Sequence, residues 1–303
     1  MASFSLFTVL LILLFAAGTN ASRLYPTSQE SSKETNLLVQ PRLLQGLTDT
    51  SENGYIHVYG ADHQMQGEYY GVSVTMDVYD FLLTNDQYTV SSVKIFSDEG
   101  DAIQIGWEVH PQLYGGDSSA HLSAFWFVKT METGGFQYAC FNTNCSTGFQ
   151  PEAGAPIALG DVIEPVSKPH GAKQNITIKV NKDSASGDWL VYYGFNQADP
   201  MLIGRYPKSL FTGGLADRAT HITIGGYVVA GNTGLVPMGS GYLPTNDNRS
   251  MADAASFSNI QVIDQNAKAS LLTHDFRGYT TLYSVSPMIN GQFFYGGPYR
   301  TTM

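Results

Sequence analysis

Gly71-Val72-Ser73-Val74-Thr75-Met76-Asp77-Val78 alternates apolar with polar side chains along its length. A strand turns successive side chains to opposite faces, so Val72, Val74, Met76 and Val78 line one face and Ser73, Thr75 and Asp77 the other. Ile176, Ile178 and Val180 repeat the pattern against Thr177 and Lys179. Working outward, β-branched and aromatic runs mark further candidate strands at Tyr55–Tyr59, Tyr69–Val78, Tyr88–Phe96, Ala102–His110, His121–Val128 and Pro156–Val162. Others follow at Asn175–Val180, Trp189–Phe195, Met201–Tyr206, Thr220–Val229, Ser256–Val262 and Gln292–Gly296. Turn signals such as Asp98-Glu99-Gly100-Asp101, Gly115-Gly116-Asp117 and Ser186-Gly187-Asp188 punctuate them. Only Pro207–Phe211 and Gly214–Ala219 suggest short helical turns. So many short strands without alternating helices predict a single all-β domain, an antiparallel sandwich or barrel.

The apolar run Leu6–Ala17 is too short for a bilayer span and leads into Ala16-Ala17-Gly18-Thr19-Asn20-Ala21. That pattern predicts a secretory signal peptide over residues 1–21, cleaved after Ala21, and a secreted, extracellular protein. Residues 22–52 read as a short polar arm or pro-segment remnant, and 53–303 as the β domain. The chain has two cysteines, Cys140 and Cys145. In an oxidising compartment they are expected to form a small-loop disulfide. Sequons at Asn175 and Asn248 are candidate glycan sites, whereas Asn144-Cys145-Ser146 is a poor one. Sixteen basic residues face 26 acidic ones, a net charge of −10 with no basic cluster. That balance argues against nucleic acid and anionic membrane as partners. The histidines are scattered and no Cys or His pair stands at metal-ligand spacing, so neither a metal nor another cofactor is expected. Asp98, Glu99 and Asp101 read as a solvated turn rather than a calcium loop. Neither Gly239-Ser240-Gly241 nor His274-Asp275 carries a nucleophile motif in its proper context.

An ordered series of short segments carries more information than any one motif. It includes Ile105-Gly106-Trp107-Glu108-Val109-His110-Pro111-Gln112-Leu113-Tyr114-Gly115, Ala139-Cys140-Phe141-Asn142 with Cys145, and Ser186-Gly187-Asp188-Trp189. Tyr206-Pro207-Lys208-Ser209-Leu210-Phe211, Gly225-Gly226, Met238-Gly239-Ser240-Gly241 and Tyr295-Gly296-Gly297-Pro298 continue it. In this order the segments resemble the neprosin domain of plant glutamic prolyl endopeptidases. The resemblance implies two large antiparallel sheets with a cleft on a concave face, and it also fits a Cys140–Cys145 disulfide. It implies a catalytic glutamate two residues before Gly-Trp and another directly after Gly-Gly. Here those places hold Gln104 and Tyr227. Family enzymes also carry a longer pro-segment than the roughly 30 residues between the expected cleavage point and the β domain.

A two-carboxylate peptidase needs one group to take a proton from water and another to supply protons to carbonyl and leaving group. Gln104 cannot ionise, although its amide can orient a water or bind a carbonyl. Tyr227 has an ordinary pKa of about 10, far from a useful base in acid. Glu108 shares a strand face with Gln104 and Gly106, roughly 13 Å from Gln104 along an extended strand. The expectation is a degenerate peptidase site used to bind a ligand, or to run an altered acid–base reaction on a small molecule. An active endopeptidase recruiting Glu108 is the first alternative, and a non-enzymatic cell-wall binder of peptide or glycan is the second.

Overall fold

The computed structural model describes residues 39–42, 47–51, 54–129, 136–231, 234–244, 253–272 and 282–298. The expected signal peptide, the second sequon Asn248 and His274-Asp275 lie outside the described residues. Two antiparallel sheets pack face to face. The first sheet contains β1 (Val39–Arg42), β2 (Leu47–Ser51), β3 (Gly54–Tyr69), β5 (Tyr88–Phe96), β6 (Ala102–Val109), β7 (His121–Lys129), β8 (Phe136–Phe141) and β13 (Ala219–Ala230). Its order is β1-β3-β13-β5-β6-β7-β8, with β2 also paired to β3. The second contains β4 (Gly71–Asp77), β9 (Gln150–Pro151), β10 (Asn175–Lys182), β11 (Trp189–Phe195), β12 (Met201–Tyr206), β14 (Met238–Gly239), β15 (Ala255–Ile263) and β18 (Phe293–Gly297). They run β14-β18-β15-β4-β10-β11-β12-β9, with β16 (Ala269–Leu271) and β17 (Ser284–Val285) attached to β15 and β18. The expected sandwich is therefore present, and the barrel alternative is not.

The alternation of Val72, Val74 and Met76 points them inward to meet Ile176, Ile178 and Val180 on the paired strand. From the first sheet come Val93, Ile95, Ile103, Ile105, Ile222 and Ile224, all at most 2% exposed. Each such side chain contributes roughly 1.5–3 kcal/mol of burial. Trp107 on β6 crosses the interface and donates its Nε1–H to the Asp77 carbonyl at 2.9 Å. The Asp77 carboxylate accepts from Lys173 Nζ at 3.1 Å and from the Ser256 backbone N–H at 2.9 Å. The centre of β6 is thus anchored from behind by the opposite sheet.

Three local expectations needed correction. Pro156–Val162 is a loop, not a strand: Ala158 and Asp161 close a turn, and only Val162 bridges to His121. The proline at its start and the Gly160 turn leave no run of pairable N–H groups. β3 extends well beyond Tyr59 through Asp62-His63-Gln64-Met65, a stretch alternating with polar residues on its outer side. β1 and β2, within the stretch read as an arm, pair with β3. The two expected helical turns are single 3-10 turns at Lys208–Leu210 and Gly214–Ala219's first residues, Gly214–Ala216.

Candidate functional site

Strand register places the residues of interest on the outer face of the first sheet. One row across β13, β5, β6 and β7 reads Tyr227, Val90, Glu108, His121. The next parallel row on that face reads Gly225, Ser92, Gly106, Ser123. Beyond it comes Thr223, Lys94, Gln104, Phe125. A line of two glycines and two serines therefore runs between larger side chains, roughly 13 Å from wall to wall by strand spacing. At 106 no side chain fits at all: a Cβ would lie 1.9 Å from the Ser91 carbonyl oxygen and 2.6 Å from Ser92 Cα.

Gln104 and Tyr227 meet. Gln104 Nε2–H donates to the Tyr227 hydroxyl at 3.3 Å. The two residues stand two strands and two rows apart, so the tyrosine side chain must lie across the line of small residues to reach the amide. Burial raises the Tyr227 phenol well above its ordinary pKa; the nearby Glu108 charge adds to that and the Gln104 hydrogen bond opposes it. The pair is a neutral amide on a neutral phenol throughout ordinary pH.

Glu108 is 2% exposed. Tyr114 donates its hydroxyl to Oε1 at 2.9 Å. Burial pushes the carboxyl up to about 7, partly opposed by hydrogen bonds from Tyr114 and Ser123. His110 Nδ1 lies 3.9 Å from Oε2. Burial holds the His110 ring down at about 4, so this contact is not an ion pair at neutral pH. His110 stacks on Tyr88 with ring centroids 4.2 Å apart, and Tyr88 meets the Tyr227 ring edge-to-face at 6.2 Å. Neither His110 Nδ1 nor the Tyr88 hydroxyl has a hydrogen-bond partner among the described residues.

The turn after β6 delivers Tyr114. Leu113 and Tyr114 N–H groups both return to the His110 carbonyl, and Gly115 and Gly116 take positive φ of 67° and 97°. Such backbone angles favour glycine and let the chain reverse. Tyr114 then stacks flat on His121 at 3.7 Å and accepts a hydrogen bond from Asn142 Nδ2 at 3.1 Å. Asn142 in turn accepts from the Ala124 N–H at 2.8 Å, which fixes the turn to β7. His121 donates Nδ1–H to the Gly160 carbonyl at 2.8 Å and sets Nε2 3.4 Å from Asp117.

All three residues singled out from the sequence therefore stand on one face, with Gln104 and Tyr227 in contact and Glu108 in the row of Tyr227. Tyr88, His110 and Tyr114 were not assigned roles. The Leu-Tyr-Gly-Gly reversal was the available signal for Tyr114; Tyr88 and His110 depend on register. Cys140 and Cys145 are bonded. Asn175 begins β10 with the inward Ile176 beside it, so its side chain faces outward and is half-buried. Asp101 is buried and accepts from the Gly213 N–H at 3.1 Å, and among the described residues no acidic or histidine group has the makings of a metal site. No described helix is long and apolar enough to cross a membrane.

A protein-family model described as Neprosin matches residues 85–298, a segment that includes Gln104, Glu108 and Tyr227. No curated protein matches the chain.

Proposed function

The chain belongs to the neprosin family, and from that premise we propose that it is a pseudopeptidase whose inherited site binds a small molecule or works on it by altered acid–base chemistry. The observation that carries this reading is the 3.3 Å contact between Gln104 and Tyr227 at the two places where glutamates were expected. An amide and a buried phenol cannot share the protons of an attacking water between unequal carboxyls. Glu108 supplies one ionisable group, and its value of about 7 suits a general acid or base near neutrality. A phenol across the line of small residues occupies space that a shorter glutamate would leave for a chain. A secreted setting is part of the proposal and fits the disulfide.

Incubating the purified protein with proline-containing peptides from pH 3 to 8 tests the reading. We expect intact peptides at every pH. Cleavage that disappears in Glu108→Gln would instead support an endopeptidase built on a rearranged carboxyl.

A further inference from the structure

Resting on the reading of this site as a small-molecule site, we infer that the Glu108 end of the outer face binds the positively charged nitrogen of a small amine. Glu108 is a carboxyl withdrawn from water, and among the described residues no lysine or arginine pairs with it. Burying a carboxylate without a cation beside it is unfavourable. The carboxyl accepts only from neutral hydroxyls, those of Tyr114 and Ser123, and His110 Nδ1, 3.9 Å from Oε2, is too far for a hydrogen bond.

The other charged and titratable groups on this face do not compensate. Lys94 stands two rows away and turns its ammonium over the Phe96 ring at 4.5 Å. His110 is neutral near pH 7. His121 faces Asp117 and Gly160. Tyr88, Tyr114 and Tyr227 are phenols held in their neutral form.

The surroundings suit an organic cation in particular. Aromatic rings attract a cation to their faces, and desolvation strengthens the attraction. Tyr88, Tyr114 and Tyr227 stand around the carboxyl, two of them in ring contact with histidines. The Tyr88 hydroxyl and His110 Nδ1 are buried polar atoms without hydrogen-bond partners among the described residues, which marks polar capacity beside the carboxyl. A carboxylate repels an anionic ligand, and the chain's net charge of −10 draws cations toward it.

Three probes separate the possibilities: benzylamine, its uncharged counterpart benzyl alcohol, and benzyltrimethylammonium, whose charge does not depend on pH. Calorimetric titration of the full chain at pH 8 is expected to show both cations binding roughly tenfold or more tighter than the alcohol. Glu108→Gln is expected to erase that preference, and an unchanged slope in urea unfolding reports an intact fold. Wild-type affinity for benzyltrimethylammonium should fall as pH drops through about 7, and the dependence should vanish in Glu108→Gln. Equal affinity for amine and alcohol, or a preference that survives the substitution, would overturn the inference. Neither result bears on peptide cleavage, so the pseudopeptidase reading stands or falls separately.

Discussion

A methyl group at position 106 would enter the backbone of β5 rather than a gap, because the nearest atoms are the Ser91 carbonyl oxygen and Ser92 Cα. Main-chain atoms inside a sheet cannot move aside without breaking the ladder. Gly106→Ala is therefore expected to destabilise the protein by about 2–4 kcal/mol. A lowered urea midpoint with an unchanged slope would register it. Two positions further along, Glu108 has the opposite character. Its folded value of about 7 exceeds the ordinary 4.5, so the fold holds a proton that the unfolded chain releases. Stability from this group is complete below about pH 4.5 and is lost as pH rises to about 7. Glu108→Gln removes the penalty and is expected to raise stability at pH 8 by up to about 3 kcal/mol, with no gain at pH 4. Equal gains at both pH values would contradict the burial argument. The common face of residues 104, 106 and 108 was readable from strand periodicity, and the missing carboxyls from the motif. The hydrogen bond between Gln104 and Tyr227 was not, since it depends on which strand lies between β6 and β13.

Among the elements, the turn from His110 to Asp117 is what closes the site. Its Tyr114 joins Glu108 to Asn142, and Asn142 joins β7 through Ala124. Tyr114→Phe keeps the stack on His121 and deletes only the hydroxyl. Because that hydroxyl favours the Glu108 carboxylate, its loss is expected to move the carboxyl's titration above about 7. Carbon-13 NMR of labelled glutamate would follow the shift, and an unmoved or lowered midpoint would sink the argument. β8 carries a smaller device. The Cys140–Cys145 bond closes a loop of only six residues, for which chain entropy allows about 2 kcal/mol. β5, β11 and β12 were readable to their end residues because alternation and turn signals agreed there. Pro156–Val162 misled because an apolar run flanked by Pro and Gly looks alike in a loop and an edge strand. β8 escaped notice because its hydrophobic alternation is short and follows Gly134-Gly135 directly.

At the scale of the whole molecule, two buried histidines are held in their neutral form. His63 on β3 donates Nε2–H to the Ser286 carbonyl at 3.1 Å and meets Phe293 edge-on, so it spans the two sheets. Burial, partly opposed by that hydrogen bond, holds it at about 4. His110 is held at about 4 by burial on the outer face. Between about pH 6.5 and 4 the unfolded chain takes up protons at both positions that the fold refuses. Stability must therefore fall as pH falls through this window, by roughly 3 kcal/mol for each histidine. Glu108 acts in the reverse sense between about 7 and 4.5 and offsets one of the two. The expected net loss is about 3 kcal/mol on going from pH 7 to pH 4. His110→Phe retains a ring against Tyr88 and removes a nitrogen that has no hydrogen-bond partner among the described residues, so it isolates the titration from the packing. Its acid limb should nearly flatten, because His63 and Glu108 then oppose each other. Urea unfolding at pH 4, 5, 6 and 7 measures the slope, and a variant that loses stability with acid as steeply as the wild type would show that His110 does not set it.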